Sequence, residues 1–173
     1  MLPRRAVLTR EAAGWRLAPT QVDFAGGRGI ASGLFGSDAS ELKLALAEMP
    51  LSLADIAVAD LGLGGKISGL VDYRQARRAP PTGDFKLRIT GLTRSGLVLT
   101  SRPIDLALTG ALMSDRLEMR AVISDGGQVR GRLQGRIAGL AREGDLGARI
   151  QNGSLFAQLR YAGPADALWR LAA

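Results

Sequence analysis

The chain's 16 carboxylates, with Ser124 and Ser154 as candidate nucleophiles, are the residues whose types can do chemistry, and their partners are missing. A glycosidase-type reaction needs two carboxyls converging on one concave site. Here Asp72, Asp105, Glu118 and Asp125 fall at outward positions of alternating runs or in turns, where a solvated face explains them. Histidine and cysteine are both absent, which removes the usual general base, the commonest metal ligand, thiolate chemistry and disulfides together. Neither serine then has a base to activate it. The glycines of Gly62-Leu63-Gly64-Gly65-Lys66 resemble a phosphate loop only superficially: the GxxxxGK[ST] spacing is lacking and an alternating run follows, not a helix, so a turn is the simpler expectation. No catalytic residue, cofactor or metal is expected.

The elements that would position any site are strands. Across Arg116–Ile137, Leu117, Met119, Ala121 and Ile123 alternate with Glu118, Arg120 and Val122 until Ser124-Asp125-Gly126-Gly127 reverses the chain. The return sets Val129, Leu133 and Ile137, spaced by Gly131 and Gly135, against Arg130, Arg132, Gln134 and Arg136. One face of this hairpin is apolar and the other charged. The same period of two recurs in Trp15/Leu17, Val22/Phe24, Leu42/Leu44/Leu46, Ile67/Val71/Tyr73, Phe85/Leu87/Ile89, Ile104/Leu106/Leu108 and Leu155/Ala157/Leu159/Tyr161, predicting ten to twelve strands. Two segments depart from it. Ser52 with Asp55 forms a capping box ahead of Leu53, Ile56 and Ala57, predicting a short helix over 52–60. Pro164 and Asp166 suit the first turn of a second one over 163–172. Arg74–Thr82 is the most loop-like stretch.

The chain has 173 residues, 46% of them hydrophobic, enough for a folded core in one segment spanning 1–173. A formal net charge of +7 makes anionic partners worth considering. Nucleic acid is not expected, because no basic run is interleaved with stacking aromatics. Met1-Leu2-Pro3-Arg4-Arg5 lacks the apolar run of a signal peptide, and no stretch of about 18 apolar residues is present to span a bilayer. An outer-membrane barrel is disfavoured by the lack of aromatic girdles at strand ends. The fold expected is all-β: a long curved antiparallel sheet, a groove with an apolar interior, carrying one or two short helices. Its apolar face must be covered by a second sheet, by helices or by a ligand. Leu42, Leu44, Leu46, Phe85, Leu87, Ile89, Leu106, Leu108, Leu117, Met119, Ile123, Val129, Leu133 and Ile137 are the expected lining, with Gly131 and Gly135 keeping the face open. The Arg130/Arg132/Arg136 row should face water or anionic headgroups.

Ser124-Asp125-Gly126-Gly127-Gln128-Val129-Arg130-Gly131, Gln134-Gly135-Arg136-Ile137 and above all Tyr161-Ala162-Gly163-Pro164-Ala165-Asp166-Ala167-Leu168-Trp169 carry a resemblance. They are similar to the TamB family, the inner-membrane component of the translocation and assembly module of Gram-negative bacteria, in its alphaproteobacterial form and within the AsmA-like superfamily. Tyr161, Gly163, Pro164 and Trp169 are the most specific matches. The resemblance implies a lengthwise-curled β-groove in the periplasm, part of a protein held in the inner membrane by an anchor that this chain lacks. It further implies phospholipid acyl chains as cargo, a TamA-like outer-membrane partner and outer-membrane protein clients. Two other readings compete: a scaffold that templates client strands at a sheet edge, and a closed sandwich whose apolar faces satisfy one another.

Overall fold

The computed structural model describes residues 5–53, 62–77, 79–94, 102–139 and 155–166. They form ten strands: β1 (Leu8–Glu11), β2 (Gly14–Phe24), β3 (Gly27–Phe35), β4 (Ala39–Pro50), β5 (Leu63–Ala76), β6 (Thr82–Arg94), β7 (Ile104–Met113), β8 (Arg116–Asp125), β9 (Gln128–Ala138) and β10 (Phe156–Ala162). All ten belong to one antiparallel sheet whose spatial order is the chain order, with β1 and β10 at opposite ends, so the sheet is open. The all-β expectation holds, and the described residues form one layer, not two sheets closed on each other.

The turn between β8 and β9 shows how the sequence dictates this meander. Gly126 and Gly127 have φ of 57° and 81°. Two consecutive positive φ values define the type I′ turn, whose twist matches the flanking strands and whose central positions glycine adopts without steric cost. Arg74–Thr82 is less of a loop than expected, since β5 runs to Ala76 and β6 starts at Thr82. Of the helix expected over 52–60, the described part is a 3₁₀ turn at Leu51–Leu53 with Leu51 buried; Ser52 lies within that turn and not ahead of it, and the rest falls outside the described residues. The second helix is described only at Ala165 and Asp166, which are helical.

Register shifts interrupt the ladder between Leu17 and Thr20, Leu46 and Met49, Gly64 and Lys66, Ile89 and Leu92, and Ile123 and Ser124. Each is a bulge, which adds local twist and bends a strand. At the β6 bulge, the Gly91 N–H freed from the ladder donates to the Asp105 carboxylate at 2.9 Å. The Gly62–Lys66 segment is explained in the same way: Gly64 and Gly65 open β5 at a bulge and Lys66 forms an ion pair with Glu48 at 3.3 Å. It is a strand entry, not a phosphate loop.

Bending has a consequence for burial. Ile104, Leu106 and Ile123 form the buried cluster, closed over by Ile89, Leu92, Leu108, Leu133 and Tyr161. Ile123 has 0% exposure. A side chain on a flat single sheet cannot be sealed from water by its in-plane neighbours alone, so the sheet is concave toward this face. The cluster sits where β6–β9 approach the end that carries the Gly126-Gly127 turn.

Candidate functional site

Residues directly opposite in the ladder share a face. Starting from Ile123, the register links Leu106, Ile89, Ile67 and Met49 in one row across β7, β6, β5 and β4. The next row toward the other end runs Tyr161, Leu133, Ala121, Leu108, Leu87, Gly69 and Leu46. A third holds Leu159, Gly135, Met119, Gly110, Phe85, Val71 and Leu44, and a fourth Ile137, Leu117, Leu112, Gly83, Tyr73 and Leu42. The result is a continuous apolar face that crosses the sheet from β4 to β10. Thirteen of the fourteen expected lining residues lie on it.

Val129 is the exception. Beyond the shift between Ile123 and Ser124 it pairs with Ser124, which puts it on the opposite face, 53% exposed. The bulge inserts one residue and so reverses the in-and-out parity that sequence alternation assumes.

The glycines do not leave open space on this face, contrary to the sequence expectation. A Cβ on Gly131 would stand 2.6 Å from the Tyr161 ring, and one on Gly135 would stand 2.7 Å from Met119. Gly110 is likewise covered by the Phe85 ring. Large side chains lie down across neighbouring glycines, giving a smooth, shallow floor instead of pits. Gly131→Ala is therefore expected to lower stability by about 1–3 kcal/mol through overpacking, and Gly131→Ala combined with Tyr161→Leu should recover part of that loss; denaturant melts of the three chains check it.

The motif that carries the family resemblance has a local reason. The Tyr161 hydroxyl donates to the Pro164 carbonyl at 2.7 Å while its ring covers Gly131. A Cβ on Gly163 would meet that hydroxyl at 2.5 Å and the Arg130 carbonyl at 2.7 Å. Tyr161, Gly163 and Pro164 thus fasten the end of β10 to β9 beside the buried cluster. Trp169 lies outside the described residues.

Most of the apolar face is only half-buried, and among the described residues the principal contacts of each strand are with its neighbours in the sheet, joined by the 3₁₀ turn against β5. Leu159 is 64% exposed at the β10 edge. Ile67, Val71, Tyr73, Leu112 and Leu159 belong to the face as fully as the expected set. Their alternation is visible in the sequence; their alignment with the other strands needs the cross-strand register.

The opposite face is charged but unevenly compensated. Across β1–β5, Arg16 is paired with Glu11, Arg28 with Asp23, Lys66 with Glu48, Arg74 with Asp72 and Arg77 with Asp38, at 2.6–3.3 Å. The hydrogen bond from Arg16 holds the Glu11 carboxyl below the ordinary carboxylate range and, reciprocally, raises the Arg16 guanidinium; the hydrogen bond to Asp72 raises Arg74. Leu34 lies on this face yet is 4% exposed, flanked by Arg16 and Glu41 in the register, whose stems can cover it while their charges stay in water. Ile30, Ala45 and Leu70 form a small apolar break in the charged surface. Among the described residues, no cluster of histidine, cysteine or carboxylate side chains could hold a metal ion.

No family model, curated protein or solved structure matches this chain. The geometry therefore carries the functional reading: an open, concave sheet, one layer thick among the described residues, with a largely aliphatic floor.

Proposed function

We propose that this chain is a non-catalytic segment of a TamB-type, AsmA-like groove that carries phospholipid acyl chains between the inner and outer membranes and supports outer-membrane biogenesis. The observation behind this reading is the apolar face, continuous from β4 to β10 and uncovered by a second layer among the described residues. A face that is mostly aliphatic, whose Tyr73 and Tyr161 hydroxyls are taken up by Gln75 and the Pro164 carbonyl, suits a ligand that offers only methylenes. An acyl chain of about 16 carbons gains about 0.8 kcal/mol per buried methylene, or about 13 kcal/mol when fully withdrawn from water. A floor levelled by side chains lying over glycines has sites of similar depth, which favours sliding over capture. The periplasm and a TamA-like outer-membrane partner belong to the same proposal, through the Tyr161-Gly163-Pro164 resemblance.

Native mass spectrometry after detergent-free purification from a bacterial periplasm tests it. Near-stoichiometric phospholipid on the intact chain is the expected result. A lipid-free chain that also fails to take up fluorescent phospholipid from vesicles would overturn the groove.

One observation favours the scaffold reading as well. Among the described residues β10 is an outermost strand, with Phe156 and Leu159 exposed, Arg160 its one charge and no proline. Such an edge can accept a further strand. Proline placed at an outward-donating position of β10 blocks that pairing and leaves the floor intact, so the two activities separate.

A further inference from the structure

The charged face of β8–β10 differs from that of β1–β5, and this difference points to a second surface. Gln134 stands at the centre of an arginine cross. Arg120 on β8 and Arg160 on β10 are its direct ladder partners, and Arg132 and Arg136 lie two residues to either side on β9. Pairing places the first two about 5 Å from it and strand geometry the other two about 7 Å away. All four arginines are exposed.

None of the four forms an ion pair among the described residues; Glu118 stands directly opposite Arg136 in the ladder, but its carboxylate pairs with Arg116 at 3.0 Å. Lys86 and Arg88 extend the positive surface on β6 through Thr109 and Ala107. Between the arginines the surface is a shallow polar dish of about 480 Å³ lined by Thr109, Gln134 and Gln158, with Arg120, Arg136 and Arg160 outnumbering the one carboxylate in its wall, Glu118. Among the described residues the patch keeps a net positive charge even with Glu118 counted, and guanidiniums this close repel one another, so an anionic layer is its electrostatic complement.

We propose that the outward face of β8–β10 is a docking surface for an anionic phospholipid membrane. Three features select this occupant. Four guanidiniums on a broad, open face match many phosphates presented in a plane, each able to accept a forked pair of N–H donors. A single small anion would find no enclosing wall. The dish contains no aromatic side chain, so nucleobases have nothing to stack on and an acidic protein has no buried anchor. The surface is on the opposite side of the sheet from the apolar floor, and its binding does not depend on what that floor holds.

Cosedimentation with vesicles containing about 30% phosphatidylglycerol in phosphatidylcholine tests the proposal. The chain should bind these vesicles, bind pure phosphatidylcholine vesicles far more weakly, and be released by salt. Arg120→Gln, Arg132→Gln, Arg136→Gln and Arg160→Gln together should weaken binding more than a hundredfold, at about fivefold per arginine. The matched control replaces the ion-paired Arg16, Arg28, Arg74 and Arg77 with glutamine, removing the same charge, and should lose much less. Equal losses in the two variants would overturn the proposal, since net charge alone would then govern. Tighter binding to a single-stranded oligonucleotide or to an acidic protein than to the vesicles would also overturn it. Both variants alter exposed side chains only, and unchanged denaturant midpoints verify that they fold.

Discussion

Shortening Ile123 to alanine is expected to lower the unfolding free energy by about 3 kcal/mol. Ile123 is the largest fully buried side chain among the described residues, enclosed by Ile104, Leu106, Ile89, Leu92, Leu108, Leu133 and Tyr161. The loss combines the transfer energy of three carbons with a cavity that the ladder bonds of β7, β8 and β9 prevent from closing. Leu44→Ala removes as many carbons from the same face, but from a half-buried position on β4 away from the cluster. Its cost should be about 1 kcal/mol, because water already reaches part of the side chain and little cavity forms. Urea titrations should show a lower midpoint with an unchanged slope for both, more strongly for Ile123→Ala. Equal losses would mean that something covers the β4 floor as thoroughly as the cluster covers Ile123, and the open groove would be wrong.

The second large effect concerns the cargo. Leu44→Asp should reduce bound phospholipid at least tenfold. The substitution removes apolar contact worth about 1.5–3 kcal/mol and sets an ionised carboxylate against methylenes that cannot solvate it, while about 1.4 kcal/mol already suffices for a factor of ten. Ser32→Asp is the matched control: it lies on the charged face opposite Lys43, adds the same charge and should leave lipid occupancy unchanged. Leu133→Asp is a poorer probe, since Leu133 packs against the buried cluster and its loss would unfold the sheet as well as block it. Lipid retained by a folded Leu44→Asp chain would remove acyl chains as the occupant of this face.

Alternation made the strands legible. The hairpin of β8 and β9 needed only its period of two and an Asp-Gly-Gly turn, and the faces of Leu117, Met119, Ile123, Leu133 and Ile137 followed from parity. Parity fails at bulges, so alternation assigns Val129 to the apolar face while the register puts it on the other. A bulge leaves no composition mark at Gln128–Arg130 that distinguishes it from regular strand. The role of the glycines is hidden for a related reason: whether Gly131 is a gap or a bed for a ring depends on Tyr161, about thirty residues later and on the neighbouring strand. The arginine cross shows both sides. Arg130, Arg132 and Arg136 stand out along one strand, but Arg120 and Arg160 join Arg132 and Arg136 around Gln134 only through the register of three strands.

Because spatial order follows chain order throughout, each strand depends for its hydrogen bonds on the strands just before and just after it. Stability in such an array is close to a sum over neighbouring pairs, as in solenoids, and no distant segment must arrive before a given hairpin can form. The sheet can be laid down strand by strand as the chain is synthesised or threaded out, with a growing end ready to accept the next hairpin. It can equally lengthen or shorten in evolution by whole hairpins, each extending floor and charged face together without disturbing those already in place.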